Sequence, residues 1–223
     1  MRKERENQKG NIFAKGICLD KIIWVFLVSS LLGDVIETIY CRLFEGVWMS
    51  RSSVLYGPFS IVWGLGAVVL TMVLSRFAEK PRGRIFLIGA LIGGVYEYVC
   101  SLFTEIFLGS VFWDYSWMPL NIGGRTNLLY MSFWGVLSVV WIKRIYPKMS
   151  RLIEMIPVLQ GKVITWILVL FMICNTLISA MAMVRYIKRQ DGMKARNAME
   201  VFLDLNYEDE LIEKVWPNMV ITK

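Results

Sequence analysis

Residues Val163–Val184 read VITWILVLFMICNTLISAMAMV. They pass 22 positions without a charged side chain, and about 20 such residues cross a bilayer as a helix. Working outward, four further apolar stretches run at Pro58–Ser75, Ile85–Thr104, Ile22–Tyr40 and Asn127–Ile142. Across all five stretches there are three acids (Asp34, Glu37 and Glu97) and no Lys or Arg. The whole chain has 223 residues, 56% of them apolar and 19% charged. A soluble domain is closer to 45–50% apolar and about 25% charged. These observations predict an all-α integral membrane protein with about five transmembrane helices. Residues 1–21 form a basic N-terminal tail, residues 22–184 the membrane domain, and residues 185–223 an amphipathic tail. A soluble enzyme and a disordered chain are excluded.

The charges set an orientation. Before the first stretch lie Arg2, Lys3, Arg5, Lys9, Lys15 and Lys21. The four connections that follow hold two, four, one and five basic residues in turn. Positive charge gathers on the cytoplasmic side of membrane proteins, so the alternation places the N-terminus in the cytoplasm. The net charge of +7 then reflects topology, and no basic helix or aromatic ladder points to nucleic acid. Five crossings would leave the tail outside, yet Arg185, Lys188, Arg189, Lys194 and Arg196 follow the last stretch. Either the outer tail is basic or the 16-residue Asn127–Ile142 stretch does not cross.

Histidine is absent, which excludes Ser-His-Asp and Cys-His catalysis and His-ligated metals. The four cysteines form no C-x-x-C pair, so no zinc or redox motif is present. No nucleophile, metal set or cofactor motif surrounds the acids. The chain is therefore expected not to be an enzyme and to carry no cofactor.

An internal repeat is legible. Leu31-Leu32-Gly33-Asp34-Val35-Ile36-Glu37 aligns with Leu91-Ile92-Gly93-Gly94-Val95-Tyr96-Glu97 at an offset of 60. Arg51-Ser52-Ser53-Val54-Leu55-Tyr56 aligns with Arg125-Thr126-Asn127-Leu128-Leu129-Tyr130 at an offset of 74, and that register places Phe59 over Phe133. Two parallel hairpins are expected. Residues four apart share a helix face, so Gly33, Glu37, Cys41 and Glu45 form one stripe, and Gly93, Glu97, Ser101 and Glu105 another. Small residues let helices approach in lipid, and acids turn from lipid to the bundle interior. The stripes are therefore expected to face each other. Arg51 and Arg125 are the cations aligned in the repeat near the outer mouth, and crossed pairs are expected: Arg51 with Glu97 or Glu105, and Arg125 with Glu37 or Glu45. Asp34, Glu37, Glu97, Glu105, Arg51 and Arg125 thus form either a structural clamp or a polar solute or cation site. The loop around Trp113, Asp114, Tyr115 and Asn121 reads as an interfacial aromatic belt, with a re-entrant plug as the alternative. Tyr56 begins the Tyr56-Gly57-Pro58 turn that leads into the second helix.

The ordered set Gly33-x-x-x-Glu37, Arg51, Leu55-Tyr56-Gly57-Pro58, Gly64-x-Gly66, Glu97-Tyr98, Glu105, Trp113-Asp114-Tyr115-Ser116, Asn121-Ile122-x-Gly124-Arg125 and Trp134-Gly135 resembles the CmpB family. This is a group of small bacterial membrane proteins described as ABC-transporter permeases. The resemblance runs from about Leu31 to Arg189. In the family a Trp often stands where this chain has Asp34, and an acid often stands where it has Asn175. The resemblance implies a permease in the cell membrane of a bacterium. No Walker motif occurs here, so an ATPase subunit would be supplied in trans; a homo-oligomer is the other partner to consider. A stand-alone cation or proton channel or carrier, or a non-transporting accessory protein, are the alternatives.

Overall fold

The computed structural model describes residues 12–44 and 46–222. The start of the basic N-terminal tail and Glu45 lie outside the described residues. Five apolar helices make the body: α1 (Leu19–Phe44), α2 (Ile61–Leu74), α3 (Arg82–Leu108), α4 (Leu128–Val140) and α6 (Val158–Gln190). A π-helical turn at Trp141–Ile145 joins α4 to α5 (Tyr146–Glu154). Two short helices, α7 (Ala198–Asn206) and α8 (Asp209–Val215), follow α6. Among the described residues, four helical runs are long and apolar enough to cross a membrane: Leu19–Phe44, Arg82–Leu108, Leu128–Glu154 and Val158–Gln190. The protein is a multi-pass membrane protein. The stretch suspected of being too short, Asn127–Ile142, gains length by continuing through the π turn. The shorter apolar helix is instead Ile61–Phe77.

Helix α2 is short because the chain before it is not helical. Its entry residue, Ser60, donates its backbone N–H to the Ser30 carbonyl at 3.0 Å. Ser30 lies 14 residues before the end of α1, about 21 Å down its axis. The chain therefore folds back along α1 from Phe44 before α2 begins. The expected helix start at Pro58 moves to Ile61, whose N–H is accepted by Ser53 Oγ at 3.0 Å.

Glycine sets the spacing within each hairpin. A Cβ on Gly33 would fall 2.4 Å from Trp63 Cβ, and one on Gly93 would fall 2.2 Å from Trp134 Cβ. Gly64 lies against Phe26 and Gly135 against Phe86 in the same manner. The stripes therefore face the second helix of their own hairpin, which corrects the expectation that they face each other: a glycine can take an indole against its backbone, and the nearest indole belongs to the same hairpin. The matching contacts lie 60 positions apart on the first helices (26 to 86, 33 to 93) and 71 apart on the second (63 to 134, 64 to 135). The second helices thus match at an offset of 71 rather than the 74 that carried Phe59 onto Phe133. The hairpins meet through Trp63 and Trp134, whose ring centroids are 5.8 Å apart, and through Tyr96, which donates to the Val62 carbonyl at 2.6 Å. Substituting Gly93 by Ala is expected to cost about 1–3 kcal/mol by overpacking, read as a lower melting temperature in detergent. An unchanged melting temperature would contradict this packing.

Two apolar cores bracket the bundle. One, with Phe13, Val25, Leu74, Ile85, Trp141 and Ile153, ties the start of the described chain to α5. The other, with Met183, Tyr186, Leu203, Tyr207, Ile212 and Trp216, packs the C-terminal tail onto the far end of α6. The tail closes by a two-residue pairing of β1 (Ser110–Val111) with β4 (Val220–Ile221). It therefore sits at the end of the bundle where the 46–60 and 109–127 segments lie, opposite Lys21 and α5.

The tail's basic residues are answered within it. From Arg185 onward there are seven Lys or Arg and seven Asp or Glu. Arg185 grips both oxygens of Asp204 at 2.8 and 2.7 Å, Arg189 bonds Asp204 at 2.8 Å and Asp209 at 2.6 Å, and Lys188 bonds Glu200 at 2.9 Å. Acids contribute little to the positive-inside rule, so these pairs bear on how the tail packs and not on its side of the membrane. The hydrogen bonds from Arg185, and then those from Arg189, hold the Asp204 carboxyl down to about 2. Its folded value lies below the ordinary 3.8, so its contribution is complete above about pH 4 and is lost as pH falls toward 2. That contribution is at most about 2 kcal/mol. Acidification through this window is expected to release α7 and α8 first, measured as faster hydrogen exchange in residues 191–222. Uniform exchange along the chain at pH 2–4 would contradict it.

Candidate functional site

The polar layer lies between the two cores. Its scaffold is the extended segment Arg51–Ser60, and its backbone donors can be followed one by one. Ser52 N–H reaches Ser50 Oγ at 3.3 Å, and Val54 N–H reaches Ser52 Oγ at 3.2 Å. Ser53 N–H reaches the Phe59 carbonyl at 2.9 Å. Leu55 N–H donates to Ser179 Oγ at 2.9 Å, and Tyr56 N–H to Asn175 Oδ1 at 3.2 Å. Asn175 Nδ2 returns a 2.7 Å bond to the Tyr56 carbonyl. Asn175 stands near the middle of the 33-residue α6. Non-helical backbone at that depth is tolerated only where protein encloses it or water lines it. Asn175 and Ser179 supply the enclosure. Gly57, at φ +82°, makes the turn that sends the Tyr56 side chain toward the tail, where its hydroxyl meets that of Tyr207 at 2.9 Å.

The acids take separate environments. Glu37 accepts from the Arg51 guanidinium, with Nε at 2.8 Å, and from Trp63 Nε1 at 2.6 Å. Glu105 pairs with Arg125, which also donates to Ser101 Oγ at 3.0 Å. Both ion pairs lie within one hairpin, which corrects the crossed pairing. The reason is the fold-back: each Arg sits on a segment lying against its own first helix and reaches that helix's acid first. Glu97 has no ion pair among the described residues; it accepts from Tyr115 Oη at 3.0 Å and Thr126 Oγ1 at 2.8 Å. Substituting Glu97 by Leu is expected to cost about 2–4 kcal/mol, because hydrogen bonds to a carboxylate contribute roughly 1.5–3 kcal/mol each. Glu97→Gln keeps an acceptor and should lose less than half of that. Equal melting temperatures of the two variants would count against the network.

Asp34 is the exception. It is 4% exposed, and its Oδ1 has no hydrogen-bond partner among the described residues. Glu37 and Arg51 are the charges near enough to act on it. It lies one turn beyond Ser30 on the same face of α1, and the Ser30 hydroxyl is likewise buried without a partner.

The second loop divides between the two expected roles. Trp117 is exposed at the rim. Tyr115 turns inward to Glu97, 11 residues (about 16 Å) down α3 from its end at Leu108. Trp113 Nε1 donates to the Arg125 carbonyl at 2.9 Å. Asn121 shapes the hairpin of β2 (Asn121–Ile122) and β3 (Thr126–Asn127), accepting from Gly124 N–H at 3.0 Å. Asp114 accepts from Ser116 N–H and Oγ, bonds that lower its carboxyl below the usual range. Sequence reasoning missed Asn175 and Ser179 as site residues. An amide and a hydroxyl four apart, in a span whose other polar side chains are Thr165 and Thr176, were the available signal.

Residues 24–180 match the profile of a family described as "Putative ABC-transporter type IV", the CmpB family. The chain belongs to that family. The match takes in both hairpins and most of α6, including Asn175 and Ser179. No curated protein and no solved structure matches the chain. In this CmpB-family protein the family's span and the polar layer therefore coincide, while α7, α8 and β4 fall beyond it.

Proposed function

We propose that this protein is the membrane-embedded, permease-type subunit of an ABC-type transporter in a bacterial cell membrane. Five helices cross the bilayer from a cytoplasmic N-terminus, and the C-terminal tail caps the outer face. The basic residues of the connections support this orientation. In this reading α2 crosses together with the extended Arg51–Ser60 segment, which covers the depth that the helix does not. The recurring glycine contacts support descent of the two hairpins from one duplicated unit.

The observation that carries the reading is the extended segment held by Asn175, which meets α1 at Ser30, one helical turn from Asp34, whose Oδ1 has no hydrogen-bond partner among the described residues. Transporters build substrate sites from interrupted membrane elements, and an intramembrane acid without a partner is a functional candidate. Asp34, Glu37 and Glu97 would face the passing solute, with Arg51, Glu105 and Arg125 fixing the mouth. Tyr56, Trp113, Asp114, Tyr115 and Asn121 support the loops around it. No residue is assigned a catalytic role; ATP hydrolysis belongs to a partner. At the cytoplasmic end, α5 presents exposed Arg151 and Leu152, with Met155 just beyond it, a basic and apolar face suited to coupling with such a partner.

The test is reconstitution of the full chain in liposomes with and without a candidate ATPase. Stimulation of ATP hydrolysis by the chain, altered by Asp34→Asn, is the expected result. The buried Asp34 carboxyl, with Oδ1 unbonded among the described residues, favours one second reading, a stand-alone proton or cation carrier. Ion flux from the chain alone, lost in Asp34→Asn and indifferent to the ATPase, would replace the first reading with the second.

A further inference from the structure

Away from the polar layer, an open cleft of about 400 Å³ lies where the capped ends of α3 and α6 meet α7. This volume falls within the range of small-molecule sites, about 300–1,000 Å³. Its lower wall is apolar, formed by Phe107, Met181, Val184 and Met199. Phe107 and Met181 belong to apolar membrane helices, so the wall continues the lipid-facing surface. Its upper end adjoins a small hollow of about 30 Å³ lined by Arg185, Lys188, Lys194, Arg196 and Glu200 together with Met193. Charge pairing there is incomplete. Asp204 holds Arg185, and Glu200 holds Lys188. Lys194 and Arg196 are exposed and make no ion pair among the described residues.

An apolar groove opening to the bilayer with an uncompensated cationic end is complementary to an amphiphile whose head is an anion. We propose that this cleft holds one anionic glycerophospholipid of the leaflet on the capped side. Its acyl chain lies along Met181 and Val184, and its phosphate rests between Lys194 and Arg196. The two free cations lie at the membrane surface, where a basic side chain contributes roughly fivefold to anionic lipid binding. Bound in this way, the lipid joins the tail to the membrane helices through a contact that the tail's internal ion pairs do not make. The inference is independent of what the polar layer transports.

Native mass spectrometry of the full chain in neutral detergent tests this, using phosphatidylglycerol and phosphatidylcholine of matched chains. Phosphatidylglycerol is expected to be retained about twentyfold better. The double variant Lys194→Ser with Arg196→Ser should remove that preference while leaving the melting temperature unchanged, since neither side chain is buried. Val184→Trp, which fills the groove, should reduce retention of both lipids. Equal retention of the two lipids by the parent chain would overturn the proposal. So would a double variant that keeps the preference. Competition by glycerol phosphate as effective as that of the whole lipid would also overturn it, assigning the hollow to a small anion.

Discussion

Substituting Asn175 by Leu is expected to release the extended Arg51–Ser60 segment from α6. One side chain satisfies both the N–H and the carbonyl of Tyr56. Each buried backbone group left unsatisfied costs about 1–3 kcal/mol, so the pair costs about 2–6 kcal/mol. The loss should appear as a large fall in melting temperature together with new protease or thiol-probe access at residues 51–60. Asn175→Asp discriminates between the two bonds. An ionised Asp accepts from the Tyr56 N–H and leaves the carbonyl orphaned; protonated, it can serve both. Its stability should therefore improve as pH is lowered, whereas that of the Leu variant should not. If Asn175→Leu melts with the parent chain, the segment is not held through α6.

Substituting Glu154 by Ala is expected to destabilise the opposite end of the bundle by about 3–5 kcal/mol, the usual cost of leaving a buried charge uncompensated. Lys21 is 0% exposed. Its ammonium donates to Glu154 Oε1 at 2.7 Å, to the Ser150 carbonyl at 3.0 Å and to Ser150 Oγ. Glu154 keeps part of its surface in solvent, so removing Lys21 instead leaves an acid that water can reach. Lys21→Met should thus cost less than Glu154→Ala, and the double variant should recover most of the loss. Detergent melting of the three variants reads the order. A single-variant loss that the double variant does not recover would refute the pairing.

The sequence carried the membrane class because apolar length is a local property that the bilayer alone selects. It also carried the glycine positions, since a helix face is fixed by spacing. It did not carry where the loops go. Arg51 and Arg125 were correctly assigned to acids but to the wrong hairpin, because the fold-back of 51–60 is driven by partners far along the chain and that of 121–127 by side chains of α3, 20 to 29 residues back. Leu55 and Tyr56 bond residues 124 and 119 positions away, and no local pattern announces that. Lys21, grouped with the flanking N-terminal charges, is instead a buried strut, because α5 brings an acid to it from 133 residues on. The tail was legible but partly read: its cations were noticed, while its equal number of acids was not. Within the polar layer, Glu37 and Glu97 were found because acids stand out in apolar helices. Asn175 and Ser179 were not singled out, because neutral side chains barely disturb a hydropathy profile.

The distance in sequence between Tyr56 and Asn175 bears on how the protein is made. Chains enter the membrane from the N-terminus as they are synthesised, so the first hairpin reaches the bilayer more than a hundred residues before its anchor exists. During that interval the Leu55 and Tyr56 N–H groups and the Tyr56 carbonyl lack the partners that α6 supplies. The first hairpin must therefore wait, shielded by the insertion machinery or at the membrane surface, until the last spanning helix emerges and draws the segment in. Under the five-span proposal, the polar layer is thus completed from the C-terminal side.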